Sequence, residues 1–140
     1  MITASDLIEE AESWIDTRWK HQGRVKGVGV DCYGLIIEIA RKFDLTKFDS
    51  KKYGTYGRYP DSSKMWFFLR TYMREVSIKN IRKGTVLFMA FETEPMHLAI
   101  YDGENIIHAF VLARKVVKQR LNENFRNMIC GAFEFDGVKY

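Results

Sequence analysis

Apolar residues in the first third of the chain recur with helical spacing. Leu7, Ile8, Ala11, Trp14 and Ile15 follow the i, i+1, i+4, i+7, i+8 pattern of one helical face, and Asp6 with Glu9 three residues later can close a capping box. A helix is therefore predicted over about residues 5–17. From Cys32 the pattern returns at Leu35, Ile36, Ile39, Ala40 and Phe43, and Asp31 just before it is a good N-cap. This predicts a second helix over Cys32–Phe43. Between the two lies Arg18–Val30, punctuated by Gly23, Gly27 and Gly29 and carrying Arg18, Lys20, Arg24 and Lys26, which reads as a basic loop. Phe48–Pro60, with Tyr53, Gly54, Tyr56, Gly57 and Tyr59, reads as another loop. Pro60-Asp61 then introduces a third helix over about Ser62–Val76, on Met65, Trp66, Leu69, Tyr72, Met73 and Val76.

After Gly84 the period changes. Val86–Phe91, His97–Tyr101 and Ile106–Leu112 are short β-rich runs, Asp102-Gly103 marks a hairpin turn, and a last strand is expected near Ile129–Phe135. Helices first and strands afterwards argue for an α+β fold with helix 2 packed on a small antiparallel sheet. No repeat or linker interrupts the chain, so 140 residues are expected to form a single domain, 1–140.

Composition narrows the function classes. With 46% hydrophobic and 14% aromatic residues the chain can build a core, which excludes intrinsic disorder. Two cysteines, Cys32 and Cys130, are too few for a disulfide-stapled scaffold. A net charge of +4 permits an anionic partner without pointing to nucleic acid. The longest apolar run, Val86–Phe91, is strand-length, far short of the ~20 residues of a membrane helix, so no membrane insertion is expected. The N-terminus carries Asp6, Glu9, Glu10 and Glu12 and no basic n-region, so it does not read as a signal peptide. Gly27 and Gly29 do not continue into a nucleotide-binding fingerprint, and no HExxH or His/Cys pair at ligand spacing suggests a metal. No cofactor is expected.

Candidate chemistry begins at Cys32. In the first turn of a helix, free N–H groups and the positive end of the dipole stabilise a thiolate, the nucleophilic form of the side chain. Gly34, one turn in, costs helix propensity but lets another backbone approach closely. The alternative reading of Cys32 is a small buried hydrophobe capping a core helix. Cys130, mid-strand with no histidine near it in sequence, reads as structural. A nucleophilic cysteine needs a base, and the chain has His21, His97 and His108. If the hairpin loop after Tyr101 holds an even number of residues, Tyr101 pairs with Ile106, and His97 and His108 share a face one diagonal step apart, roughly 7–8 Å. An odd loop puts them on opposite faces. One imidazole could then act on Cys32 while the other orients it; the alternative reading is two separate strand histidines, each satisfied by local hydrogen bonds.

At this point the sequence resembles a known family, the NlpC-type papain-like cell-wall cysteine peptidases, in particular their phage-tail-associated subgroup. The resemblance rests on GVDCYGL (Gly29–Leu35), KGTVLF (Lys83–Phe88), MHLAIYDG (Met96–Gly103) and NIIHA (Asn105–Ala109), in the family's order. WKHQGRVKGVG (Trp19–Gly29) and ICGAFEF (Ile129–Phe135) look like the tail subgroup. The match spans nearly the whole chain, least diagnostically over Phe43–Ile78. It implies a papain-like fold with Cys32 as nucleophile, His97 as general base and acid, and His108 as the residue that orients His97. It also implies a substrate, the peptide stem of peptidoglycan, commonly cut between γ-D-glutamate and the following diamino acid.

Two positions depart from the family's pattern. Tyr33 stands where many members carry serine, and Trp19 where many carry a tyrosine whose hydroxyl reaches the cysteine; an indole N–H can donate but not accept. Trp19, His21, Gln22, Asp31 and Tyr33 are the candidates for oxyanion or substrate contacts. The loop cations Arg18, Lys20, Arg24 and Lys26 either attract substrate carboxylates or form a solvated face. The subgroup implies location in a phage tail or tail-like particle, with other tail-tip proteins as partners. The rival readings are a structural tail-tip component that keeps the fold without catalysis, and an amidase or acyltransferase on the same fold.

Overall fold

The computed structural model describes residues 1–46, 62–92 and 96–140. The predicted tyrosine loop with Tyr53, Tyr56 and Tyr59 lies outside the described residues. A two-residue strand β1 (Ile2–Thr3) leads directly into helix α1 (Ala4–Glu12). The cap is Thr3 rather than Asp6: the Asp6 N–H donates to the Thr3 hydroxyl, and the Asp6 carboxylate accepts the Thr3 N–H at 2.8 Å. The helix also ends before the predicted Thr17. Asp16 takes a left-handed φ of 73°, and Asp16 and Thr17 exchange backbone hydrogen bonds with Val116 on the far edge of the sheet. Trp14 keeps its apolar contact all the same and is buried.

The basic loop contains a small hairpin, β2 (Arg24–Val25) paired with β3 (Gly29–Val30). Helix α2 (Cys32–Lys42) follows, within a residue of its predicted bounds. Its buried residues, Cys32–Ile37 with Ile39 and Ala40, run round most of its circumference, which makes it the central helix of the helical layer. Arg41 and Lys42 in its last turn complement the dipole.

Helix α3 (Ser62–Tyr72) is shorter than predicted, because Met73–Val76 forms strand β4. Met73 and Val76 continue the helical spacing, but the sheet offers this segment a full ladder on the closing strand, Met73↔Phe135 to Val76↔Ala132. The remaining elements are β5 (Val86–Met89), β6 (His97–Tyr101), β7 (Asn105–Phe110), β8 (Lys115–Arg120), a short helix α4 (Glu123–Asn127), β9 (Ile129–Phe135) and β10 (Val138–Lys139). They build an antiparallel sheet in the order β4-β9-β5-β6-β7-β8, while β10 pairs in parallel with β1. The run predicted to continue to Leu112 ends at Phe110, where a 3-10 turn and a left-handed Arg114 (φ 62°) reverse the chain into β8, a strand the hydrophobic pattern does not show.

The sheet is covered on both faces. Leu98, Ile100, Ile107, Ala109, Phe133 and Phe135 pack against the helices. Leu87, Met89, Ala99, Tyr101, Ile106 and Ala132 form a second layer with Phe91, Leu121 and, at its margin, Phe125 of α4. Burial on both faces explains why β5 reads as an unbroken apolar run rather than an alternation.

Gly34 has the close neighbour its position suggested. A Cβ there would overlap the Arg24 guanidinium and sit 2.6 Å from the backbone oxygen of Gly23. Alanine would gain about 1 kcal/mol of helix propensity, but overpacking against backbone commonly costs about 1–3 kcal/mol. Gly34→Ala is expected to lower stability by up to about 2 kcal/mol net, read as a lower midpoint in urea. An unchanged or raised midpoint would show that the 22–24 segment can step aside freely.

Candidate active site

Asp31 has extended backbone angles (φ −103°, ψ 179°), and Cys32 is the first residue of α2. The Asp31 carboxylate collects three donors. Oδ1 accepts the Gly34 N–H at 2.8 Å and Arg24 Nη1 at 3.0 Å, and Oδ2 accepts the Gln22 N–H at 2.9 Å. Arg24 also donates to the Gly23 carbonyl at 2.8 Å. The carboxylate and guanidinium thus strap residues 22–24 across the tip of α2, with their opposite charges largely withdrawn from water. Cys32 itself is 3% exposed, and its Sγ lies 3.9 Å from the carbonyl oxygen of Met96, the residue directly before His97. The sulfur therefore meets β6 at the end where His97 begins the strand.

The hairpin resolves the parity question. Ile100 pairs with Ile107 and Tyr101 with Ile106, and the Asp102 N–H bonds the Asn105 carbonyl at 2.9 Å across an even loop. Asp102 fixes this turn by accepting the Glu104 and Asn105 N–H groups. His97 and His108 consequently face the same side, and Nε2 of His97 lies 2.7 Å from Nδ1 of His108. Both rings are fully buried. Phe91 stacks on His97 at 4.4 Å between centroids, Phe110 stacks on His108 at 4.8 Å, and Phe125 stands edge-on to His108 at 6.1 Å.

This aromatic surround controls protonation. Burial, and then the nearby His97 charge, push the His108 pKa down to about 3, against the opposing pull of a hydrogen bond to Gln119. His108 is therefore neutral near pH 7 and carries one ring proton. Its Nε2 lies 2.6 Å from Oε1 of Gln119, and an amide oxygen only accepts, so the proton is on Nε2. Nδ1 is left as an acceptor, which His97 satisfies by donating from its own Nε2. The direction of donation is His97 to His108 to Gln119. Gln119 is missing from the sequence reading because β8 is. With the β7–β8 hairpin in hand, His108↔Val117 pairing makes Gln119 the diagonal neighbour on the same face.

The other candidates divide between scaffold and site. Gln22 (φ 60°) uses its N–H on Asp31. Tyr33 is buried with its ring edge-on to Phe68 at 5.4 Å and beneath the Arg24 guanidinium at 5.8 Å, and burial drives its pKa upward, so its hydroxyl keeps its proton. His21 is half-buried. Trp19 bridges Val30 on the strand that leads into Asp31 and bonds the Arg114 carbonyl through its N–H at 2.8 Å. Its indole Nε1 is buried and has no hydrogen-bond partner among the described residues. Of the loop cations, Arg24 is held by Asp31 and Lys26 by Glu10 at 2.8 Å, whereas Arg18 and Lys20 are exposed. Cys130 is exposed on β9. Among the described residues no cluster of three or more His, Cys, Asp or Glu could hold a metal ion.

The model of the NlpC/P60 family matches residues 16–130, which includes Trp19, Cys32, His97, His108 and Gln119. The chain belongs to the NlpC/P60 family. Among solved structures, an NlpC/P60 family protein from Bacillus cereus ATCC 10987 superposes with a TM-score of 0.68 at 24% identity, over 95% of this chain and 40% of that one. The NlpC/p60 domain of the peptidoglycan hydrolase SagA gives 0.64 at 17% identity, over 96% of this chain and 100% of that domain. The P60 domain of an antigen from M. avium subspecies paratuberculosis gives 0.62 at 17% identity, over 94% and 93%. These likenesses show a shared NlpC/P60 fold; the chain spans only two-fifths of the Bacillus cereus protein's length. No curated protein sequence matches the chain.

Proposed function

We propose that this chain is a cysteine peptidase that hydrolyses an amide bond in the peptide stem of peptidoglycan, between γ-D-glutamate and the following diamino acid. The observation that carries the reading is the hydrogen bond between His97, at the start of β6, and His108 of β7, with His97 directly following the Met96 carbonyl that Cys32 Sγ touches from the tip of α2. Family membership and the likeness to the SagA hydrolase domain support the substrate class.

In this mechanism Nε2 of His97 is committed to His108, so Nδ1 exchanges the proton with the Cys32 thiol. The thiolate adds to the amide carbonyl carbon, and the carbonyl electron pair moves to oxygen. The Cys32 backbone N–H meets that oxyanion. Within Trp19–Gln22, the Gln22 N–H is already held by Asp31, whereas the buried Trp19 indole N–H has no partner among the described residues, which favours Trp19 as the second donor. Such a donor is worth about 3–4 kcal/mol in the transition state. The His97 imidazolium then protonates the leaving amine as the C–N bond breaks, leaving a thioester on Cys32. Finally His97 takes a proton from water, whose oxygen attacks the thioester and releases the stem carboxylate and the thiol. The WKHQGRVKGVG and ICGAFEF segments support a place in a phage tail or tail-like particle that opens the wall locally, with other tail-tip proteins as neighbours.

Incubation with a muropeptide of defined stem, followed by mass spectrometry, tests the bond. Fragments ending in γ-D-glutamate, with a new amine on the diamino acid, are expected. Cleavage between the lactyl group and L-alanine would replace the peptidase with an amidase. An intact muropeptide, from protein shown to be folded, would favour a structural tail component.

A further inference from the structure

We propose that Gln119 is a positioning residue that sets the polarity of the histidine pair by accepting the His108 Nε2 proton. The catalytic consequence rests on the function proposed above; the tautomer assignment does not. Gln119 lies on β8, half-buried, opposite Ile106 and between the exposed Lys118 and Arg120. Its Oε1 is 2.6 Å from His108 Nε2, and His108 Nδ1 is 2.7 Å from His97 Nε2. Among the described residues, the groups facing the His108 ring are the His97 imidazole from β6, the Gln119 amide from β8, and the rings of Phe91, Phe110 and Phe125.

A neutral imidazole has one proton and two places for it. With an acceptor at Nε2 the proton stays there, and Nδ1 points an electron pair at His97. His97 must then carry a proton on Nε2, which leaves Nδ1 as the nitrogen that takes and returns a proton. If the acceptor is removed, His108 can move its proton to Nδ1. His97 must then accept at Nε2 and, when neutral, hold its proton on Nδ1, where it can no longer act as a base. A carboxylate in place of the amide would fail differently. It would draw a second proton onto His108, and the resulting imidazolium would no longer be the neutral orienting group. The amide is the side chain of this length that accepts without adding charge.

The test is 15N NMR of the ring nitrogens at neutral pH, with kcat and KM on a muropeptide. In the unmodified protein His108 is expected as the Nε2–H tautomer. In Gln119→Leu a measurable Nδ1–H population should appear, and kcat should fall by roughly 10²-fold with little change in KM, the low end of what general acid–base catalysis contributes. Gln119→Glu keeps the hydrogen bond and the shape, yet should raise the pH at which His108 titrates and lower kcat. His108 found as the Nδ1–H tautomer in the unmodified protein would overturn the proposal without any variant. So would Gln119→Leu that leaves both the tautomer and kcat unchanged. If the tautomers respond as expected while the unmodified protein cleaves no muropeptide, the positioning role stands and the peptidase reading is what fails.

Discussion

Replacing His97 by alanine is expected to reduce hydrolysis of peptidoglycan by roughly 10²–10⁴-fold, the usual contribution of a positioned acid–base group. The side chain is fully buried between the Phe91 ring and His108, so its loss removes both the proton carrier and the partner of His108 Nδ1. Stability must therefore be measured alongside activity. A buried acceptor without its donor costs about 1–3 kcal/mol, enough to lower a melting temperature but not to unfold most domains. His108→Ala should act more mildly, because His108 orients and does not itself exchange protons with substrate. Its variant should keep part of the rate, with the loss in kcat. Full hydrolysis by a folded His97→Ala protein would remove His97 from the mechanism. A His108→Ala protein as inactive as His97→Ala would mean that His108 does more than orient.

A second large effect is expected in acid. In the unfolded chain His108 binds a proton near its ordinary pKa of 6.5, whereas in the fold burial and the His97 charge hold it neutral down to about 3. Between these values the unfolded state takes up more protons, so stability falls as pH falls. His108's contribution is fully present above pH 6.5, and is lost as the pH drops toward 3. Between pH 7 and pH 5 it amounts to about 2 kcal/mol. Glu134, held below the usual carboxylate range by its hydrogen bonds to Arg82 and then by the charges of Arg82 and Arg74, acts in the same direction but lower on the pH scale. Urea denaturation at pH 7 and pH 5 separates the two, because His108→Gln should flatten the profile in this window while Glu134→Gln should not. Equal slopes for the unmodified protein and His108→Gln would show that His108 protonates as readily in the fold as out of it.

The reach of the sequence differs from one part of the site to another, for identifiable reasons. Cys32 could be placed because Asp31 is a strong local cap and α2 is apolar enough to keep its period over its whole length. The histidine pair could be placed because parity across a tight hairpin is all that decides it, and Asp102-Gly103 marks the turn. Strand β8 was hidden: Val116 is its one buried residue, Val117 beside it is only half-buried, and Lys115, Lys118 and Arg120 are the exposed polar covering of an edge strand. Gln119 disappeared with it, since nothing local distinguishes that glutamine from a surface residue. Likewise, Met73–Val76 looked helical because the competing ladder comes from β9, more than fifty residues away in sequence. The strap formed by Arg24 and Asp31 is of the same kind: a loop cation read as facing solvent or substrate turns out to hold the helix tip.

If one sulfur does the chemistry, Cys32→Ala abolishes it. Purified peptidoglycan is digested with the unmodified protein and with the variant, folding of both is checked by circular dichroism, and released fragments are identified by mass spectrometry. Stem-peptide fragments are expected from the former, and none above the uncatalysed background from the latter. The same fragments released at a comparable rate by folded Cys32→Ala would show that Cys32 is not the nucleophile.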